Sequence, residues 1–212
     1  MKTRDRIAET ARALFNEQGY GAVSTAGVAV ACHIAEGNLW YHYKTRRALL
    51  DAIGERFAVA IETRLALRPD HDPIGDYAAM VAAMMAEFRD FRFLYRDQHS
   101  YGEHAEVVRL NVPNWTQRTF DQLELYLAAL VDAGELDWPR ERLRDLAVNA
   151  TIILRYGLEH YREMGEATGS GTGSVQRTLR RHLTLFEHRL TPPAAQRLHE
   201  AIEQIEIAAL AA

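Results

Sequence analysis

One cysteine, Cys32, leaves no partner for an internal disulfide and fits a reducing compartment. The opening run "MKTRDRIAETARALF" lacks the apolar core of a signal peptide. The stretch 18–35 is free of Lys, Arg, Asp and Glu, but Gly19, Gly21, Ser24 and Gly27 break it, so no membrane span is expected. Together these absences suggest a cytoplasmic protein with no membrane partner. No long apolar/polar alternation occurs, which argues against strands, and there is no internal repeat. Catalytic signatures are missing too: no His-Glu-x-x-His, no Gly-x-Ser-x-Gly and no phosphate-cradling glycine loop. His99, Glu103 and His104 lie close together, but a helical metal centre needs a second such set. Glu159, His160 and Glu163 do not repeat that spacing. Cys32 and His33 are adjacent but have no second pair elsewhere. No metal and no cofactor are expected, and an all-helical enzyme is a remote alternative.

What is present is ordinary in amount and uneven in distribution. The 212 residues are 48% hydrophobic and 25% charged, enough for a sizeable core. The net charge is −4. Residues 1–48 hold seven Lys/Arg against four Asp/Glu, whereas the remainder holds 18 against 25. A small basic module thus precedes a larger acidic body, which points to an anionic partner for the module alone.

The apolar spacing predicts helices nearly throughout. Ile7, Ala11, Leu14 and Phe15 share a face, and Gly19 and Gly21 end that helix. Ser24 is a candidate cap for a helix over 25–32. A turn at 32–35 precedes a short helix, 36–43. A long helix from Arg46 carries Leu49, Leu50, Ile53, Phe57 and Ile61, and ends at Pro69 and Pro73. Further helices are expected over 74–97, with a break near Asp90, over 103–111, and from Pro113 to Ala133 with Gly134 as stop. Pro139 opens another, through Tyr161. "GEATGSGTGS", 165–174, reads as a flexible linker. Helices over 175–190 and 194–210 follow, separated by Pro192–Pro193.

Helix, short helix, tight turn and short helix in residues 3–48 form the pattern of a helix-turn-helix DNA reader. Seven residues are too few for a stable isolated helix, so 36–43 must be held by its neighbours through Leu39. Its content is unusual. Trp40, Tyr41, His42 and Tyr43 are consecutive, with Lys44, Arg46 and Arg47 next. Four rings in a row point all round a helix, so some must face outward. A packing cluster between helices is the other reading of the same rings.

The run "GNLWYHYKTRRALLDAI", extended back through "RIAETARALFNEQGYGAVS", resembles the start of TetR-family transcriptional regulators. The resemblance covers about the first fifty residues. It implies an all-α fold: an N-terminal three-helix helix-turn-helix DNA-binding domain, 1–48, and a larger helical ligand-binding and dimerisation domain, 49–212. It further implies a homodimer on a palindromic double-stranded operator, repressing until a small molecule binds. Control by a protein partner without any small molecule is the alternative. Carried over by position, Thr25 should bind phosphate through its hydroxyl and N–H, and Gly37 should let the backbone approach DNA. Asn38 and Trp40 should contact base or sugar, Tyr41 and His42 phosphates, with Lys44 beside them. Arg46 takes a phosphate-binding lysine position. Leu39 and Tyr43 should pack inward. Three residues depart from the pattern. His33 stands at a turn position usually Gly, Ala35 replaces a usual Ser before the reading helix, and Ala26 replaces a common Arg.

In the acidic body, "MVAAMMAEFRDFRFLY" places Met80, Met84, Phe88, Phe91 and Tyr95 on neighbouring faces. They form either a plain core or an adaptable pocket for a small apolar or amphipathic ligand. Trp115, Phe120, Arg155 and Tyr156 complete the candidate ligand set. Arg155 would meet an acidic ligand or form a rim ion pair. Two wide apolar stripes suggest a four-helix dimer interface. One is Ala150, Ile153, Leu154, Gly157, Leu158 and Tyr161. The other is Leu179, Leu183 and Phe186.

Overall fold

The computed structural model describes residues 2–101, 104–169 and 171–210, with side chains of the last helix to Ile205. It is all-helical, and no strand occurs among the described residues. Helices α1 (Thr3–Gln18), α2 (Thr25–Ala31) and α3 (Glu36–His42) precede the long α4 (Arg46–Leu65). Then follow α5 (Pro73–Asp90), α6 (Arg92–Arg96), α7 (Gln98–Tyr101) and α8 (Glu106–Asp132). The chain closes with α9 (Leu143–Glu163), α10 (Ser174–Leu183) and α11 (Pro192–Leu210).

Most boundaries follow local chemistry. Ser24 caps α2, its hydroxyl accepting from the Gly27 N–H at 3.0 Å. Gly19 takes φ 93° at the end of α1. The expected break near Asp90 falls at Phe91, between α5 and α6. Pro113 departs from expectation: it lies inside α8 rather than opening it. The carbonyl it leaves without a donor belongs to Arg109, which is exposed to water. Helix α10 ends at Leu183, and a 3-10 turn, Glu187–Arg189, replaces its expected last turns.

The chain divides into two compact units, Met1–Thr63 with Glu87–Asn114 and Arg64–Ala86 with Trp115–Ala212. The first 48 residues are therefore joined by residues 49–63 and 87–114. The reason is visible at the end of α1. Phe15 packs on Phe93 with ring centroids 5.2 Å apart. Asn16 donates to the Asp90 carbonyl at 2.8 Å and accepts from the Phe93 N–H at 3.0 Å. Arg96 donates to the Phe15 carbonyl at 2.8 Å, and Asp97 accepts from the Tyr20 N–H at 2.7 Å. The segment 89–97 thus satisfies the C-terminal end of α1, which α2 and α3 are too short to cover. Further down the unit, Phe57 meets Phe91 and Tyr95, each at 5.3 Å.

The second unit packs α9 against α10 and α10 against α11. Its core includes two polar groups on apolar stripes. His182 of α10 is fully buried and stacks on Tyr77, whose hydroxyl lies 2.8 Å from Nε2. Burial lowers the His182 pKa to about 3, so the ring is neutral. Arg64, also buried, donates to Gln122 Oε1 at 2.7 Å and to Thr119 Oγ1 at 2.9 Å.

Candidate nucleic-acid interface

Two seven-residue helices and a strained turn build the site. In α2, Val28 and Ala29 face the core. Cys32 is buried beneath them. His33 then adopts φ 53°, a left-handed conformation that glycine takes at no steric cost. This reverses the chain and lets the Ile34 N–H bond the Ala29 carbonyl at 3.0 Å. Ala35 occupies the cap position of α3 in extended conformation but offers no side-chain hydrogen bond. Helix α3 is anchored by Leu39, its one buried residue, and by Tyr43 just beyond. The Tyr43 hydroxyl donates to the Arg4 carbonyl at 3.1 Å, and the Arg4 guanidinium lies 5.3 Å from its ring.

The other side of α3 faces out. Glu36, Gly37, Asn38 and Tyr41 are exposed, Tyr41 at 74% of its surface, and Trp40 and His42 are half-buried. The Tyr41 ring meets His42 edge to face at 5.2 Å, with Lys44 Nζ 5.7 Å from its centroid. A Cβ at Gly37 would touch nothing within 4 Å, so the chain's own packing does not require glycine there. The half-buried Thr25 donates its hydroxyl to Glu36 Oε1 at 3.0 Å.

Arg46 has a partner within the chain. Arg46 donates to the Tyr20 carbonyl and lies 4.0 Å from the Tyr20 ring centroid. Its guanidinium thus holds the loop after α1. Arg47 is exposed beside it, at a loose 3.7 Å from Asp51 and 4.0 Å from Glu106.

Models of two families match the chain. One, described as bacterial regulatory proteins of the tetR family, covers residues 7–53. The other, TetR bacterial transcriptional repressor, covers residues 56–198. The chain belongs to the TetR family. Among curated relatives, the UidR regulator of Escherichia coli K12 is 37% identical over 51 residues, 24% of this chain and 26% of UidR. The class C tetracycline repressor protein of Escherichia coli is 29% identical over 94 residues, 44% of this chain and 41% of that repressor. The matched stretch therefore spans about a quarter to two-fifths of these relatives. Solved structures agree in fold over far more of the chain. A TetR-family regulator from Marinobacter aquaeolei VT8 aligns with TM-score 0.78 at 21% identity, over 97% of this chain and 99% of that one. CprB from S. coelicolor A3(2) aligns with TM-score 0.68 at 15% identity, over 97% and 96%.

In this TetR-family chain, the expected ligand residues are divided between the two units. Phe88, Phe91 and Tyr95 pack in the first unit, Phe88 on Tyr95 at 5.2 Å, and the Tyr95 hydroxyl reaches Glu87. Met80, Met84 and Trp115 are buried in the second unit, and Phe120 lies beneath the Arg144 guanidinium at 5.3 Å. Arg155 is half-buried on α9. Tyr156 is a correction: 49% exposed and bonded to Glu163, it faces solvent rather than a cavity. Hollows of about 540 Å³ along Leu136–Trp138 and His188–Thr191 and of about 240 Å³ beside Arg68 and Arg118 contain none of the expected residues. Glu103, weighed as a metal ligand, lies outside the described residues.

The expected dimer residues also need correction. Ala150, Leu154, Leu158, Tyr161, Leu179, Leu183 and Phe186 are buried in the chain's own core and present no surface to a second copy. Gly157 serves the same core. A Cβ there would lie 2.3 Å from Thr178 Cγ2, so the glycine permits α9 to approach α10. Among the large apolar side chains of α9, Ile152 is 57% exposed and Tyr156 49%, with His160 half-buried on the same face and Met164, just past the helix end, 67% exposed. Ile153 is half-buried alongside. Sequence reasoning also passed over Arg64 and His182. Their positions on the stripes 57, 61, 64 and 175, 179, 182 were the available signal.

Proposed function

We propose that this chain is a DNA-binding transcriptional repressor, active as a homodimer on a palindromic operator and released by a small apolar or amphipathic ligand. The observation that carries the reading is the outward face of α3, where Gly37, Asn38 and Tyr41 are exposed and Trp40 and His42 half-buried, with exposed Lys44 adjoining. The Asn38 amide can donate to and accept from an adenine edge in the major groove. The Tyr41 hydroxyl, His42, Lys44 and Arg47 contact flanking phosphates, which fix register without reading sequence. The exposed row of Ile152 and Tyr156 on α9, with Met164 just past its end, is the apolar surface that pairs two chains. A bound ligand in the C-terminal body changes the separation of the two reading helices and so the fit to half-sites one helical turn apart.

The test is selection of bound duplexes from a randomised pool at about 0.15 M salt, where non-specific phosphate binding is weakened. The expected result is an inverted repeat whose half-sites are roughly 34–36 Å apart. Recovery of no enriched sequence overturns the reading.

A further inference from the structure

From Gly19 to Thr45 the chain carries two charged side chains, Lys44 and Glu36. Glu36 is the sole acid, and it opens α3 on the exposed face. A carboxylate there opposes the approach of DNA phosphates, so its presence calls for a reason. Support of the helix end is one: Ala35 supplies no cap, and an anion in the first turn is favourable. That role does not need a fixed carboxylate. Yet Glu36 is tethered, its Oε1 accepting the Thr25 hydroxyl at 3.0 Å from the first residue of α2.

The tether has two consequences. Thr25 has its hydroxyl hydrogen committed, which leaves a nearby phosphate only the backbone N–H. The second carboxylate oxygen of Glu36 is left at the end of α3 that reaches base edges in this type of reader. A carboxylate only accepts. Cytosine offers it the N4 amino group, whereas adenine sets the acceptor N7 beside its amino donor and repels it.

We infer that Glu36 reads cytosine in each half-site and that Thr25 is the positioning residue that aims it. This rests on the proposed DNA-binding reading. The test repeats the pool selection with the full chain as wild type, E36Q, T25V and T25S. Wild type should enrich cytosine at one position of each half-site. E36Q should shift that position toward adenine by about tenfold, because a Gln amide pairs both adenine groups. T25V should loosen the same position and no other, and T25S, which keeps a hydroxyl, should restore it. Unchanged base preferences in E36Q, with only overall affinity or melting temperature altered, would reduce Glu36 to a helix-end charge and overturn the inference. If wild type itself enriches nothing, the DNA-binding reading fails and this inference with it. A wild-type repeat with no cytosine preference defeats the inference alone.

Discussion

Helices α3 and α9 both carry runs of large side chains, and they use them in opposite ways. Seven-residue α3 buries Leu39 alone and leaves most of its rings and polar groups outside. Twenty-one-residue α9 buries nine residues in its own unit and leaves Asp145, Asn149, Ile152, Tyr156, Arg162 and Glu163 exposed. The short helix has too few residues to form alone, so its neighbours hold it and its surface stays free for a partner. The long helix is itself a wall of the core, and a partner meets only the strip left over. Breaking each helix where its neighbours hold it tests this difference.

The largest expected effect concerns the seal of the α9–α10 core. His182 is neutral in the fold, with its pKa lowered to about 3 from 6.5 by burial. Between those values the unfolded chain takes up a proton that the folded chain refuses. Stability should therefore be full above about pH 6.5 and fall as pH drops toward 3, by on the order of 4 kcal/mol. Urea unfolding across that range checks it. His182→Gln, which can still accept from Tyr77, should have a shallower slope than wild type, and equal slopes would count against a sealed His182.

Leu39→Ala comes next. Removing the one buried side chain within α3 should cost about 3 kcal/mol and loosen the helix, read as lost thermal stability and weakened duplex binding. A smaller loss, about 2 kcal/mol, is expected for Gly157→Ala, since the added methyl overlaps Thr178. Thermal unfolding should show it, and no change would mean that α9 and α10 are further apart than described. The smallest effect runs the other way. His33→Gly relieves a φ of 53° and should raise stability by about 0.5–1 kcal/mol, although glycine elsewhere in this region would lower it.

These residues also mark what the sequence made legible. Ser24 and Leu39 follow from local rules, because caps and short helical spacing depend on near neighbours, whereas the inward Tyr43 follows from the resemblance. The resemblance marks His33 as standing where glycine is usual, and its φ of 53° is the conformation that glycine would favour there. Contacts set by distant chain were not legible. Nothing in α1 announces that its end is closed by Asp90, Phe93 and Arg96 some eighty residues later. Arg46 and Arg47 are adjacent cations, and only the path of the loop at Tyr20 tells which is held. The stripes of α9 and α10 gave the apolar face but not its occupant. Periodicity cannot separate a neighbour in the same chain from one in a second copy, so a core stripe and an interface stripe look alike. Pro113 misled because an exposed proline is tolerated inside a helix when water takes the freed carbonyl.

The central claim is that the α2–α3 face, and not the body, meets DNA. The most direct test is amide hydrogen exchange of the full chain with and without its selected duplex, at about 0.15 M salt. The account predicts new protection concentrated in residues 24–47. Duplex-dependent protection centred on α9 or the hollow at Trp138, with 24–47 unchanged, would contradict it.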